Sequence, residues 1–376
     1  MRRGLLVLAL LLSSPGTAFA ATSLTLSVNP ASPLYGSTAT FSGAITPAAA
    51  GATVELWADT GGGESLVTST TTAADGSYSI PLVMNAGATF RTKTAGATSP
   101  DVVVNLRPQI TAVLSGLRYV GSRLLLKGRL TPATAGTLTL HLGAQSSAVA
   151  VAPDGRFRSP LPTRRATTYT AKLDFAPGPG FAAREIVRSY RVRAPYLSLG
   201  ASGTAVIALE RLLYARHYAL RGVNRYFGFD TYEAVLAFQK VHRLSRTGRV
   251  ASWLWPKIAN SGVPHARIAM GSHVEVDKTR QVLFEVRSGK VTRIVHVSTG
   301  ATGNTPVGRW HFYLKTPGLN SHGMYYSNYF LRGFAVHGYA SVPPYPASHG
   351  CVRTPMWFAP GFYSRWHVGD TIYVFA

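Results

Sequence analysis

The chain has 376 residues, an ordinary apolar share of 46% and a formal net charge of +23, which gives room for two to four domains. Its single cysteine excludes an internal disulfide framework, and nothing after residue 20 resembles a membrane-spanning run. The charge is uneven, −3 over residues 21–105 but +11 over 106–195, +6 over 196–265 and +7 over 266–376, and a surface of that kind attracts polyanions.

Arg2 and Arg3 precede an apolar run from Leu5 to Leu12, and Ala18-Phe19-Ala20 supplies a small-x-small cleavage site. Residues 1–20 therefore read as a secretory signal peptide, too short in its apolar run to cross a bilayer. The adjacent arginines also leave twin-arginine export open. The mature protein is expected to be soluble and extracytoplasmic, with no membrane insertion after signal removal. There a basic chain meets anionic wall polymers before nucleic acid, so no nucleic-acid partner is expected.

Two copies of one pattern follow. "GSTATFSGAITPAAAGATVELW" from Gly36 is echoed by "GSRLLLKGRLTPATAGTLTLHL" from Gly121, with Gly36, Gly43, Thr46-Pro47 and Gly51 recurring at an offset of 85. "DGSYSIPL" at Asp75 is matched by "DGRFRSPL" at Asp154. Short alternating runs of Val, Thr, Leu and Tyr between Gly, Pro and Asp-Gly turns predict antiparallel strands. Residues 21–105 and 106–195 are read as two immunoglobulin-like β-sandwich repeats without a disulfide, serving as spacers.

After Pro195 the period becomes helical. Val206, Leu209, Leu212 and Leu213 share one face of a first helix. A second is predicted to open on a capping box, Asp230 with Glu233, and to carry the stripe Ala234, Val235, Phe238, Val241 and His242. A third runs from about Trp253 to Ile258. Residues 196–265 thus form a three-helix domain. Leu199-Gly200, Gly203, Val206, Leu209, Leu212, Tyr226-Phe227-Gly228, Ala234-Val235, Phe238-Gln239, Leu244 and Thr247-Gly248 resemble the peptidoglycan-binding domain of exported wall enzymes. The segment departs from it at Asn224, where aspartate is common, and at Glu210, where glutamine is common.

Residues 266–376 return to strands. Val274–Val276, Gln281–Arg287 and Val291–Val297 alternate, Ser288-Gly289 reads as a hairpin turn, and Asp370–Phe375 closes the domain. Within it "SHGCVR", Ser348 to Arg353, holds the only cysteine. A thiol attacks as thiolate and needs a base and an electropositive setting. Between Glu285 and Asp370 there is no acidic side chain, whereas Lys290, Arg293, Arg309, Lys315, Arg332, Arg353 and Arg365 lie inside that span. A field of this sign favours a thiolate, and the missing acid leaves no local Ser-His-Asp relay. His337, His349 and Cys351 are spaced unlike short zinc-ligand pairs.

Two histidines compete as base. His349 stands two residues before Cys351 and would share its face in an extended strand. His337 lies fourteen residues upstream, across a loop with Pro343, Pro344 and Pro346, and spacing alone does not decide between them. The residues themselves go further. His337-Gly338 followed by Ser348–Arg353, with Ser298-Thr299-Gly300 and Thr305-Pro306-Val307-Gly308 upstream, resembles the signature of the L,D-transpeptidase catalytic domain.

That resemblance implies Cys351 as nucleophile and His337 as general base and acid, with Gly338, Ser348, His349 and Gly350 as oxyanion or supporting positions. Relatives often carry serine or threonine where Gly338 stands. With no acid nearby, the His337 imidazole is expected to be held by a backbone carbonyl near Gly338. Arg353 is expected to hold a substrate carboxylate or to support the loop, and Tyr325 and Tyr326, in "MYYSNYF", either to line the entrance or to pack in the core. The implied partner is peptidoglycan, as stem peptides in the catalytic domain and as glycan strands on residues 196–265, with anionic wall polymers as a further candidate. No cofactor and no metal are implied. The implied reaction is crosslinking through a cysteine thioester. A thiol L,D-carboxypeptidase and a non-catalytic wall-tethered protein are the alternatives.

Overall fold

A computed structural model describes residues 21–376; the proposed signal peptide lies outside the described residues. The described chain is mostly β with four helices. It divides into two compact units, one holding the residues up to Val113 with Lys127–Ser159 and Lys172–Val187, the other holding Leu114–Leu126, Pro160–Ala171 and Arg188–Ala376.

The N-terminal region is a β sandwich. One sheet gathers Ser23–Leu24, Ser27–Asn29, Thr38–Thr46 and Ser77–Val83, and the other Glu64–Thr71, Thr53–Asp59, Ala88–Thr94, Ala97–Thr98 and Val102–Val104. Alternate residues of each strand turn inward, so that Phe41, Val54, Leu56, Ile80 and Phe90 fill the space between the sheets. The repeated glycine has a steric cause. A Cβ at Gly43 would stand 1.9 Å from the Thr25 carbonyl oxygen, and one at Gly128 would stand 1.9 Å from that of Thr111. In both copies a neighbouring backbone occupies the side-chain space.

The helical segment contains α1 (Thr204–Tyr214), α2 (Phe229–Val241) and α3 (Leu254–Asn260). Val206, Leu209, Leu212 and Leu213 are buried on α1, and Ala234, Val235 and Phe238 on α2, the faces that the periodicity marks. The expected capping box does not form. The N-cap of α2 is Gly228, without a side-chain cap. Asp230 instead accepts the Arg221 backbone N–H at 3.1 Å, and Glu233 accepts the indole N–H of Trp357 at 2.6 Å. Tertiary partners have displaced the local cap.

The C-terminal part is built from β1 (His273–Asp277), β2 (Val282–Arg287), β3 (Lys290–His296), β4 (Gly308–His311), β5 (Leu314–Leu319), β6 (Tyr325–Leu331), β7 (Phe334–Tyr339), β8 (Val352–Pro355), α4 (Ala359–Arg365) and β9 (Thr371–Phe375). One sheet has the order β3-β2-β1-β9-β4, and the other β5-β6-β7-β8. Ser288 and Gly289 both take positive φ, 47° and 72°, in the β2–β3 turn, as a tight hairpin requires. Val274, Val276, Leu283, Phe312, Phe330, Val336, Val352, Phe362 and Ile372 form the shared core. Against it lies the edge pair β7 and β8, which carries the histidine and leads out of the cysteine loop.

Candidate active site

β7 and β8 run parallel, with Val336 opposite Val352 and His337 opposite Arg353. Cys351 is the residue before β8, and it lies in a bend with His349 and Gly350. The expectation that His349 and Cys351 share one face of an extended strand is therefore not met. Gly350 turns the chain there at φ +128°, where a Cβ would lie 2.4 Å from the Phe334 ring, so only glycine fits without strain. His349 is exposed. Its contribution to the loop is its carbonyl, which accepts from Asn304 Nδ2 at 2.9 Å.

The loop is held from two sides. Ser348 Oγ donates to the Cys351 carbonyl at 2.5 Å and accepts the Gly350 N–H at 3.0 Å. That second bond commits the Gly350 N–H within the loop. From outside, the upstream motif closes over the loop. Thr299 O accepts the N–H groups of Ala347 (2.9 Å) and Ser348 (3.0 Å), and Ser298 exchanges backbone bonds with Arg353 at 2.9 and 3.0 Å. Thr305 Oγ1 donates to the Gly350 carbonyl at 2.7 Å and accepts the Gly300 N–H at 2.9 Å.

Thr299 is itself gripped by buried Gln281, whose Nε2 donates to Thr299 Oγ1 at 2.6 Å and whose Oε1 accepts the Thr299 N–H at 2.8 Å. Behind Gln281 stands Lys240 of α2, fully buried. Its Nζ contacts the Gln281 carbonyl (3.0 Å), the Val297 carbonyl (2.9 Å) and His296 Nδ1 (2.5 Å). Asn304, Gln281 and Lys240 stand outside the motifs that the sequence offers. No local pattern marks them, because their partners are distant in the chain.

His337 is buried on β7, with Nδ1 2.9 Å from the Gly338 carbonyl. A carbonyl accepts only, so Nδ1 carries the proton and Nε2 the lone pair. Burial drives the imidazole pKa down to about 4; the Gly338 hydrogen bond opposes this and the Arg353 charge adds to it. Burial also pushes the Cys351 thiol up, and the Ala335 N–H and the Arg353 charge offset only part of that. The expected thiolate-favouring field is thus outweighed by desolvation. At neutral pH both groups are uncharged.

Gly338 is buried, and a Cβ there would meet Ala359 Cβ at 2.7 Å, so this packing leaves no room for the serine or threonine common in relatives. The Arg353 guanidinium lies 4.1 Å over the Tyr339 ring, and the Tyr339 and His337 rings meet edge to face with centroids 5.7 Å apart. Tyr325 is paired with Gly338 across β6–β7. Tyr325 and Tyr326 are half-buried and form an aromatic cluster with Tyr363 of α4, at centroid distances of 4.6 and 5.0 Å, packed on the core.

Residues 271–374 match the L,D-transpeptidase catalytic domain, YkuD, and residues 202–251 match a peptidoglycan binding domain. No curated protein matches the chain. Among solved structures, an L,D-transpeptidase from Xylanimonas cellulosilytica is 31% identical over 49% of this chain and 99% of its own, with a TM-score of 0.45. One from Stackebrandtia nassauensis is 25% identical over 48% of this chain and 95% of its own, with a TM-score of 0.31. One from Mycobacterium smegmatis is 13% identical over 72% of this chain and 99% of its own, with a TM-score of 0.26.

Proposed function

The chain belongs to the L,D-transpeptidase family, with its catalytic domain preceded by a peptidoglycan-binding domain, and we propose that it is an exported wall enzyme that crosslinks peptidoglycan stem peptides through Cys351. The observation that carries this reading is the pairing of β7 and β8. It sets a neutral imidazole with its Nδ1 proton fixed on Gly338 on the strand beside the one that begins at the cysteine loop.

The thiol sulfur attacks the carbonyl carbon that joins the L-centre of the third stem residue to D-alanine. Because the resting pair is thiol and imidazole rather than an ion pair, the proton passes to His337 Nε2 as the C–S bond forms. The carbonyl oxygen becomes an oxyanion, met by the Cys351 N–H. The C–N bond then breaks, D-alanine leaves with the proton from His337, and a thioester remains. A side-chain amine of a second stem attacks the thioester and gives its proton to His337, the C–S bond breaks, and His337 returns that proton to the sulfur, regenerating the thiol. Arg353 faces the carboxylates that the stems carry, and the domain around residues 202–251 holds the glycan strand nearby.

The test is incubation of the mature protein with disaccharide-tetrapeptide, followed by mass analysis. The expected product is a dimer lighter than two monomers by one D-alanine molecule, with exchange when a D-amino acid is added. Tripeptide alone, at every amine concentration, would make the enzyme a carboxypeptidase. No turnover from folded, reduced protein would leave only a structural role.

A further inference from the structure

A cavity of about 950 Å³ opens between the segment that follows α1, the β2–β3 hairpin and the start of α4. Cys351, His337 and Arg353 take no part in its wall. Four arginines do: Arg221, Arg287, Arg293 and Arg365. Glu285 accepts from Arg293 at 3.1 Å and from Arg365 at 2.6 Å. Arg221 and Arg287 have no ion pair among the described residues. The other nearby carboxylates are turned elsewhere, Asp230 to the Arg221 backbone and Glu233 to the Trp357 indole.

Two further observations mark the cavity as built for a ligand. Tyr218 is 1% exposed and forms part of the wall, yet its hydroxyl has no hydrogen-bond partner. Arg365 Nε, also buried in the wall, has none either. Unpaired buried donors are costly and uncommon without a role. Every cation here is a guanidinium, whose planar fork matches carboxylate and phosphate oxygens. The volume is at the top of the usual range for ligand pockets, too large for a lone small anion. Two aromatic faces complete it, half-buried Trp357 under Arg221 at 5.7 Å and exposed Tyr214.

We infer that this cavity binds an acidic glycan, with its carboxylate or phosphodiester oxyanions on Arg221 and Arg287 and its sugar faces on Tyr214 and Trp357. The site stands apart from the thioester chemistry, and it holds whether that thioester is resolved by amine or by water.

Calorimetric titration of the full mature chain tests this with four probes. A glycerol phosphate oligomer supplies phosphodiesters, disaccharide-tetrapeptide supplies carboxylates, chitotetraose is a neutral glycan, and a short single-stranded oligonucleotide is a non-saccharide polyanion. At least one of the first two should bind about tenfold more tightly than chitotetraose, and whichever does so identifies the anion. Arg221→Gln with Arg287→Gln should remove about tenfold of that affinity, the scale of a lost charged hydrogen bond. Arg287→Gln alone, an exposed change at a strand end, should remove part of it. Arg164→Gln with Arg165→Gln, an equal loss of charge at exposed positions elsewhere, should change little. Equal binding of chitotetraose, an equal loss in both charge variants, or oligonucleotide binding as tight with the same arginine dependence would each overturn the inference. Carbapenem acylation of Cys351 should be unchanged in Arg221→Gln/Arg287→Gln, so a failure of the catalytic reading shows separately.

Discussion

At Cys351 and His337 burial works on both groups in the direction that removes charge, and this fixes how the site responds to pH. With the imidazole down at about 4 and the thiol raised, the rate of Cys351 acylation by a carbapenem should rise as pH climbs through about 4 and stay level to at least pH 8. An ascending limb near the ordinary histidine value of about 6.5 would show an exposed base instead. His337→Gln should slow acylation by about 10²–10⁴-fold with the adduct still mapping to Cys351, whereas His349→Gln should change it little, since that side chain is exposed. Gly338→Ser drives a Cβ into Ala359 and should destabilise the domain by about 1–3 kcal/mol, read from chemical denaturation. Ala359→Gly should recover part of that loss in the double variant. The sequence points to Cys351 and His337 because each sits in a short run of recognisable neighbours. It is silent on Gln281 and Lys240, whose contacts bridge chain separations of 18 to 57 residues.

Among the elements, those whose cause is local could be read in advance. The apolar stripe of α1 and the Ser288-Gly289 hairpin depend on neighbours a few residues away. The cap of α2 could not, because Asp230 and Glu233 have partners in other elements. That misplaced expectation has a measurable counterpart. Burial raises Glu233 to about 7, against an unfolded value near 4.5, so the folded state holds more protons between those values. Its contribution to stability is therefore present below pH 4.5 and is lost as pH rises through 7. Glu233→Gln keeps an acceptor for the Trp357 indole and removes the charge. It should raise the melting temperature clearly at pH 8, by a free energy on the order of 2–3 kcal/mol, and much less at pH 5. An equal gain at both values would mean that Glu233 is not buried as an acid. His337 has the opposite sign, with stability present above about 6.5 and lost as pH falls toward 4, so the two slopes partly cancel in the wild type.

For the whole molecule, a mainly β chain interrupted by one helical segment was legible from the change in hydrophobic period near Pro195, and the catalytic domain at its end from the resemblance of its motifs. The grouping of the chain into compact units was not, because it follows contacts rather than period. The unit that contains the helices also contains Leu114–Leu126 and Pro160–Ala171. Gly121 has no room for a Cβ beside Ala259 and Leu212, Tyr119 stacks on Trp255 at 6.0 Å, and the Trp255 indole donates to the Pro195 carbonyl at 2.8 Å. A chain starting at residue 196 loses those contacts. In scanning calorimetry it should melt several degrees below one starting at residue 106, since about 1 kcal/mol corresponds to a few degrees at this size. Equal melting temperatures would make residues 106–195 a free spacer.

The place of Lys240 limits how such a protein can be assembled by recombination. Its amine comes from the helical segment, and the three acceptors it serves belong to the catalytic domain, directly behind the residues that clamp the cysteine loop. Lys240→Met should therefore slow carbapenem acylation severalfold well below its melting temperature, although the side chain is far along the chain from the thiol, and should cost about 1–3 kcal/mol of stability. Unchanged acylation kinetics would confine Lys240 to packing. A gene fusion that exchanges the helical segment for an unrelated wall-binding module would leave the same three acceptors unserved. The two segments are heritable as a pair, and a working chimera has to carry an amine at that depth along with whatever affinity its new module brings.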